Sequence, residues 1–121
     1  MDARIEWALA EIERRLEGGV TLETLAASVH LSPSRFAHLF RQHVGLPPGR
    51  YLHTRRIDRA SLLLETTFLS IKEVMARVGL NDPSHFTREF RRCHGLPPRE
   101  WRAARRKERR DALELAATAN K

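Results

Sequence analysis

The sequence contains a single cysteine, Cys93, and so cannot form a disulfide within the chain. This excludes the disulfide scaffold of many small secreted domains and suits a reducing compartment. Six histidines are present, but Cys and His do not recur as two closely spaced pairs, so no metal site is predicted. No signal peptide is recognisable, and no apolar run approaches the roughly 18 residues of a membrane span. We expect a cytoplasmic protein without a cofactor or a membrane partner.

The sequence also lacks strand-like alternation of apolar and polar residues. It has no paired carboxylates in an apolar setting, no glycine-rich phosphate loop after a strand, and no nucleophile with an orienting partner, so an enzyme is not expected. Helical spacing is present instead. Ile5, Leu9, Ile12 and Leu16 recur at helical intervals, and Asp2 stands before them as a helix cap. The pattern predicts an all-α fold.

Acidic residues are scarce where basic residues are most abundant. The formal net charge is +7 over 121 residues. Residues 1–31 have three arginines and six acids, whereas residues 32–110 have 18 Lys or Arg and seven acids, a difference of +11. A surface of this sign favours a polyanion, nucleic acid before membrane.

The basic region contains a repeat. SPSRFAHLFRQHVGLPP starts at Ser32, DPSHFTREFRRCHGLPP starts at Asp82, and a short amphipathic segment precedes each one, TLETLAASVHL and SIKEVMARVGL. Each copy predicts two helices joined by a tight turn, the helix-turn-helix plan. In the second helix, Ser or Asp is the cap, proline is the first residue and glycine ends it. A long helix reaching about Thr67 joins the copies, which suggests two equivalent contacts to one extended object.

The outward faces of these second helices distinguish DNA binding from simple packing. A step of about 100° per residue turns the two phenylalanines of each helix inward. The opposite faces contain no acid, and their side chains are mostly hydrogen-bond donors, which the acceptor-rich major groove and the phosphates require. These faces comprise Ser34, His38, Arg41 and Gln42, flanked by Arg35 and Ala37, and in the second copy Ser84, Arg88, Arg91 and Arg92, flanked by His85 and Thr87.

Two further positions carry expectations. His30 takes the turn position that Gly79 has in the second copy, where a left-handed backbone suits glycine better than histidine. The first copy is therefore expected to be the less stable one. The same helical stepping places Cys93 on the buried side, together with His43.

Over residues 2–106 the chain resembles the DNA-binding domain of AraC/XylS-type transcription regulators. The matching pieces are LAASVHLSPSRFAHLFRQHVG, YLHTRRIDRASLLLETT and SIKEVMARVGLNDPSHFTREFRRCHGLPPREWR, in this order. The resemblance implies seven helices, with two helix-turn-helix subdomains joined by a linker helix. It also implies that the recognition helices, 33–44 and 83–94, enter successive major grooves on one face of the duplex. Because the two copies differ in sequence, an asymmetric DNA site is expected.

The resemblance also assigns residues. The base-reading positions are Ser34, Ala37, His38, Arg41, Ser84, Thr87, Arg88 and Arg91. By their position in the sequence rather than by the resemblance, the candidate phosphate contacts are Arg35, Gln42, Arg50, Arg55, His85, Arg92, Arg99 and Arg102. Arg56 matches a position that supports the linker helix internally.

We therefore predict an AraC-type DNA-binding domain over residues 1–110, followed by a weakly helical tail, 111–121. Within it, residues 1–46 form the first subdomain, 47–67 the linker helix and 68–110 the second subdomain. The isolated domain is expected to be a monomer that binds double-stranded DNA and regulates transcription, with RNA polymerase as a further candidate partner. The alternative is a helical interaction module that docks a polymerase subunit or another regulator.

Overall fold

The computed structural model describes residues 1–119 and contains no strand within that range. It confirms the predicted all-α class with seven α-helices and one 3-10 turn, Leu16–Gly18. The helices are α1 (Ala3–Arg14), α2 (Leu22–Ser28), α3 (Pro33–Val44), α4 (Pro48–Thr66), α5 (Ile71–Arg77), α6 (Pro83–His94) and α7 (Pro98–Ala119). None of these helices combines the length and the apolar character that a membrane span needs.

The helices form two compact units, and the division falls inside the linker helix. The first unit comprises residues 1–59 and 77–79, and the second comprises 60–76 and the chain from residue 80 onward. The first twelve residues of α4 therefore belong to one unit and its last seven to the other. The sequence-based division instead treated residues 47–67 as a separate connecting segment.

The core of the first unit joins α1 to the first helix-turn-helix. Ile5, Ala8 and Ile12 of α1 are fully buried, as are Phe36 and Phe40 of α3. Leu9, which the sequence pattern placed in the apolar stripe, is only partly buried, because Ala8 occupies the inner position.

The second unit has an aromatic core of similar design. Phe86 and Phe90 of α6 are buried, with ring centroids 5.6 Å apart. Trp101 of α7 meets Phe90 edge-on at 5.4 Å, and the His94 ring lies 4.5 Å from Phe90. Tyr51 contacts Phe40 in the same edge-on manner at 5.5 Å in the first unit, as its alignment with Trp101 suggests.

The duplication extends further than the sequence comparison found. Ala8, Ile12 and Glu13 of α1 recur 52 residues later as Ala60, Leu64 and Glu65 in the last part of α4, and the apolar members are fully buried in both places. The last part of α4 thus serves the second unit as α1 serves the first.

Matching ion pairs support this correspondence. Glu13 accepts from Arg55 at 2.5 Å in the first unit, and Glu65 accepts from Arg105 at 2.8 Å in the second. The first part of α4 is therefore the last helix of the first unit, and the last part of α4 is the first helix of the second unit. Corresponding residues are 50 positions apart in the later segments of the repeat but 52 positions apart here. This change of spacing hides this part of the repeat in the sequence.

The helix starts are those that the sequence predicts. Ser32 accepts from the backbone N–H of Arg35 and Asp82 from that of His85, each at 3.2 Å. Asp82 thus turns its charge toward its own helix. Ser70 and Glu73 form the predicted reciprocal capping box, with both bonds at 3.0 Å.

Three details differ from or sharpen the sequence-based expectations. Cys93 and His43 are exposed rather than buried, because each lies in the last turn of its helix, where angular position alone does not ensure cover. His30 has φ 62° and Gly79 has φ 76°, so both turns are left-handed as expected. α7 continues through the predicted tail as far as Ala119, and residues 120 and 121 of that tail lie outside the described residues.

Candidate nucleic-acid interface

The exposed face of α3 contains most of the side chains predicted to read bases in the first unit. Ser34, His38 and Arg41 are exposed, while Ala37 is half-buried and offers only a methyl group. Phe36 and Phe40 hold the opposite side of the helix in the core. The face is therefore anchored by two fully buried rings and free to meet a ligand.

The face of α6 is built in the same way but differs in chemistry. Ser84, Thr87, Arg88 and Arg91 are all exposed. A guanidinium can donate two parallel hydrogen bonds to a guanine edge, and a threonine hydroxyl can bond several base edges. The second unit therefore presents longer side chains with more hydrogen-bond donors than the first unit does.

Helices α3 and α6 both begin just before their predicted base-reading residues. Pro33 and Pro83 are the first helical residues, and the backbones of Gly45 and Gly95 end the helices in the left-handed region. The side chains in the first turns consequently project from the N-terminal part of each helix. In helix-turn-helix proteins this part of the recognition helix meets the base edges.

One carboxylate lies beside the second face. Half-buried Glu89 accepts from Arg92 at 2.7 Å and 2.9 Å, and His85 Nε2 lies 3.9 Å from its other oxygen. The pairing raises the pKa of Arg92, first through the hydrogen bond to Glu89. Arg92 thus pairs with an internal anion, which reduces the charge that it offers to phosphate, and His85 lies beside the same carboxylate.

Two predicted phosphate contacts have internal partners instead. Arg55 bonds the carboxylate of Glu13 at 2.5 Å and that of Asp58 at 2.9 Å. Arg102 donates to the backbone carbonyls of Leu64 and Thr67, both at 2.8 Å. Both arginines are half-buried, so we withdraw them from the phosphate set. Arg35, Gln42, Arg50 and Arg99 are exposed and stay in it.

Arg56 supports the interior, as the resemblance implied. Its guanidinium donates to the Val20 carbonyl at 3.2 Å and lies 3.7 Å from the point where a side chain on Gly79 would begin. Burial lowers the pKa of Arg56. This arginine therefore ties α4 to the first unit rather than to a ligand.

Comparison with known proteins decides what this architecture is. The family model described as a helix-turn-helix domain, of the AraC/XylS type, matches residues 25–104, about two thirds of the chain. The chain belongs to the AraC/XylS family. The match runs from α2 into the first part of α7, and so includes both helices that carry the predicted AraC/XylS base contacts.

Curated relatives within the family are regulators of larger size. The arabinose operon regulatory proteins of Salmonella typhimurium and Escherichia coli are each 39% identical over 83 residues, which is 68% of this chain. The aligned segment covers 30% and 28% of those two proteins. The chain thus spans less than a third of the length of the regulators it matches.

A solved DNA-binding domain matches nearly the whole chain. The DNA-binding domain of AdpA, a global transcriptional factor, was crystallised in complex with a target DNA. It is 34% identical with a TM-score of 0.81, and the match covers 89% of this chain and 97% of that one.

One polar side chain beside the predicted interface of the first unit was missed by the AraC/XylS resemblance. Arg4 of α1 lines a cavity of about 210 Å³ together with three polar side chains of α3. Those three were predicted to contact DNA, but Arg4 was not, because nothing local in the sequence joins it to a helix that begins 29 residues later. The cavity is lined by Arg4, Leu31, Arg35, His38, Leu39 and Gln42.

Proposed function

We propose that this chain binds double-stranded DNA with sequence specificity and regulates transcription. In this proposal α3 and α6 occupy successive major grooves of one asymmetric site. It acts in the cytoplasm, as a monomer when isolated, without catalysis of its own.

The observation that carries the proposal is the matched construction of two exposed helix faces. Each is backed by two fully buried phenylalanines and presents polar or cationic groups outward. A protein surface that only met solvent would commonly mix acids with bases. Here α3 contains no acid, and the one acid of α6, Glu89, is turned to Arg92 and His85. Faces that offer chiefly donors suit the acceptors of the major groove.

Asymmetry follows from the residues that differ between the faces. Ala37 and His38 in the first unit stand where Thr87 and Arg88 stand in the second. An alanine methyl suits a thymine methyl, whereas an arginine suits the O6 and N7 of guanine. One chain of this kind reads two unlike half-sites without a second copy.

Affinity is assigned to a separate set of groups that approach the phosphates. The set comprises exposed Arg35, Gln42, Arg50 and Arg99, with Arg92 and His85 contributing less because Glu89 faces them. Such contacts fix the position of the protein on the duplex and give binding its dependence on salt.

The names of the relatives favour a regulatory role. They include the arabinose operon regulatory proteins and the RhaS transcriptional activators, which are 36% identical in Enterobacter. Contact with RNA polymerase is the further partner that such a role would involve.

The proposal is tested by selecting binding sites from random duplexes and measuring anisotropy with the selected and scrambled duplexes across a salt series. We expect an enriched site with two different halves one helical turn apart, and tighter binding than to the scrambled duplex at every salt concentration. Equal affinity for both duplexes would remove the sequence-specific part. Absence of binding at low salt would reject DNA as the partner and leave the interaction module.

A further inference from the structure

We propose that the cavity between α1 and α3 of the first unit is a binding site for a phosphate group, with Arg4 as a ligand. The source that we infer is a backbone phosphate of the DNA, so in that respect the inference rests on the proposed function. It adds to the proposed interface a helix that lies outside the helix-turn-helix.

The lining of the cavity suits an anion. Two arginines, an imidazole and a carboxamide line it, and no carboxylate is among the lining residues. Its volume of about 210 Å³ leaves room for a phosphate with part of its hydration shell. Leu31 and Leu39 supply the apolar remainder of the lining. Arginine suits such a ligand because its planar fork matches phosphate oxygens.

Asp2 positions Arg4 without saturating it. The carboxylate of Asp2 accepts from Nε of Arg4 at 3.2 Å and from a terminal nitrogen at 2.9 Å, while also capping α1 at 2.8 Å. A guanidinium has five N–H groups, so three remain available to another acceptor. The bond to Arg4 lowers the pKa of Asp2 to about 2, and the pair is therefore ionised at neutral pH. Asp2 thus holds Arg4 in place and also competes with an incoming phosphate.

The position of the cavity along α3 is the reason that we infer DNA as the source of the phosphate. His38 belongs to the proposed base-reading set, and Arg35 and Gln42 lie one turn before and after it on α3. A recognition helix in the major groove has phosphates on both sides of it. The flank on which Arg35 and Gln42 lie is the one that α1 approaches through Arg4.

The test compares Arg4→Gln with Arg14→Gln in the same chain. Both arginines lie on α1 and are paired with a nearby acid, but Arg14 does not line the cavity. Affinity for the selected duplex is measured between 50 and 300 mM salt. Because Asp2 already pairs with Arg4, we expect Arg4→Gln to reduce the slope of log affinity against log salt by at most about 0.9 and to weaken binding at most about fivefold near 0.15 M, with Arg14→Gln like wild type. Asp2→Asn, which keeps a capping side chain, is expected to tighten binding.

A second arm separates the source of the phosphate from the site itself. Inorganic phosphate is titrated into the wild-type protein and both variants, followed by the amide and side-chain NMR signals of the cavity residues. If the Arg4→Gln slope changes, the phosphate comes from DNA. If the DNA slope is unchanged but inorganic phosphate binds only when Arg4 is present, the site takes a free phosphate. If neither measurement depends on Arg4, the proposal is overturned. Should wild type bind no duplex, the proposed function fails and the phosphate titration alone decides.

Discussion

In the first unit α3 exposes His38 and half-buries Ala37, whereas in the second unit α6 exposes both Thr87 and Arg88. The supports behind these residues are almost the same, namely two buried phenylalanines, a proline at the helix start and a left-handed glycine at its end. The comparison shows a scaffold kept constant while the presented side chains changed. We therefore expect the two units to differ in DNA readout because of their outward residues. We expect them to differ in stability because of the left-handed turns within the motifs and the ion pairs between helices.

The largest expected effect tests whether the two supports are equivalent. Phe40→Ala and Phe90→Ala each remove a fully buried ring, so each is expected to lower the free energy of unfolding by about 3–5 kcal/mol. Denaturant unfolding followed by circular dichroism measures both. A cost below about 1 kcal/mol for one variant alone would break the equivalence of the two units.

The two units are expected to differ more in their contribution to DNA affinity than in the stability that their buried phenylalanines provide. Arg88→Ala should weaken binding to the selected duplex by about 5- to 150-fold and relax preference at one base pair, since a bidentate arginine contact is worth about 1–3 kcal/mol. His38→Ala should lose less, because an imidazole cannot make the same two-fold contact. Anisotropy with a panel of single-pair duplex variants measures both. An equal loss for the two variants would contradict the idea that the second unit is the stronger reader.

Substitutions in the left-handed turns of the two helix-turn-helix motifs, at His30 and Gly79, are expected to change stability by smaller amounts and in opposite directions. Gly79→Ala is expected to destabilise the protein by about 1 kcal/mol, because alanine resists the left-handed backbone although its side chain has room. His30→Gly should stabilise it by about 0.5 kcal/mol, as relief of the left-handed strain exceeds the added chain entropy. Thermal unfolding of both variants checks the signs. Destabilisation by His30→Gly would show that the histidine side chain contributes more than its backbone strain costs.

The ion pairs that close the units give the smallest expected effect. Arg55 holds the pKa of Glu13 below its ordinary value through a side-chain hydrogen bond. The resulting stabilisation is complete above the ordinary glutamate pKa and is lost as the pH falls from there through the lowered pKa of Glu13. Glu13→Gln should therefore cost about 0.2–1 kcal/mol at pH 7 and flatten the loss of stability between pH 5 and pH 3. Exposed Glu6 on the same helix offers the control, because Glu6→Gln removes the same charge and leaves the Glu13–Arg55 pair in place.

Local chemistry explains which features the sequence could predict. Ser32, Asp82 and the Ser70–Glu73 box act within three residues, so their patterns are complete in a short window. The buried phenylalanines follow from helical periodicity alone. These local signals suffice for the helices, the repeat and the orientation of the two recognition faces.

Features that depend on distant partners were not predictable in this way. Arg55 finds Glu13 across 42 residues and Arg102 finds the Leu64 carbonyl across 38, so a basic residue in a plausible position proved to be an internal support. The exposure of Cys93 depends on where neighbouring helices end. The place of Arg4 beside α3 likewise requires the packing of α1, which no spacing rule supplies.

The claim that one scaffold reads two different half-sites is tested most directly by making the two readers alike. Ser34 and Arg41 already match Ser84 and Arg91, so the double substitution Ala37→Thr with His38→Arg gives both helices the same residues at the four predicted base-reading positions. Binding sites are then selected from random duplexes with the variant and with wild type. We predict that wild type selects two unlike halves, and that the variant selects a direct repeat of the half read by α6. Selection of the same site by both proteins would contradict the account.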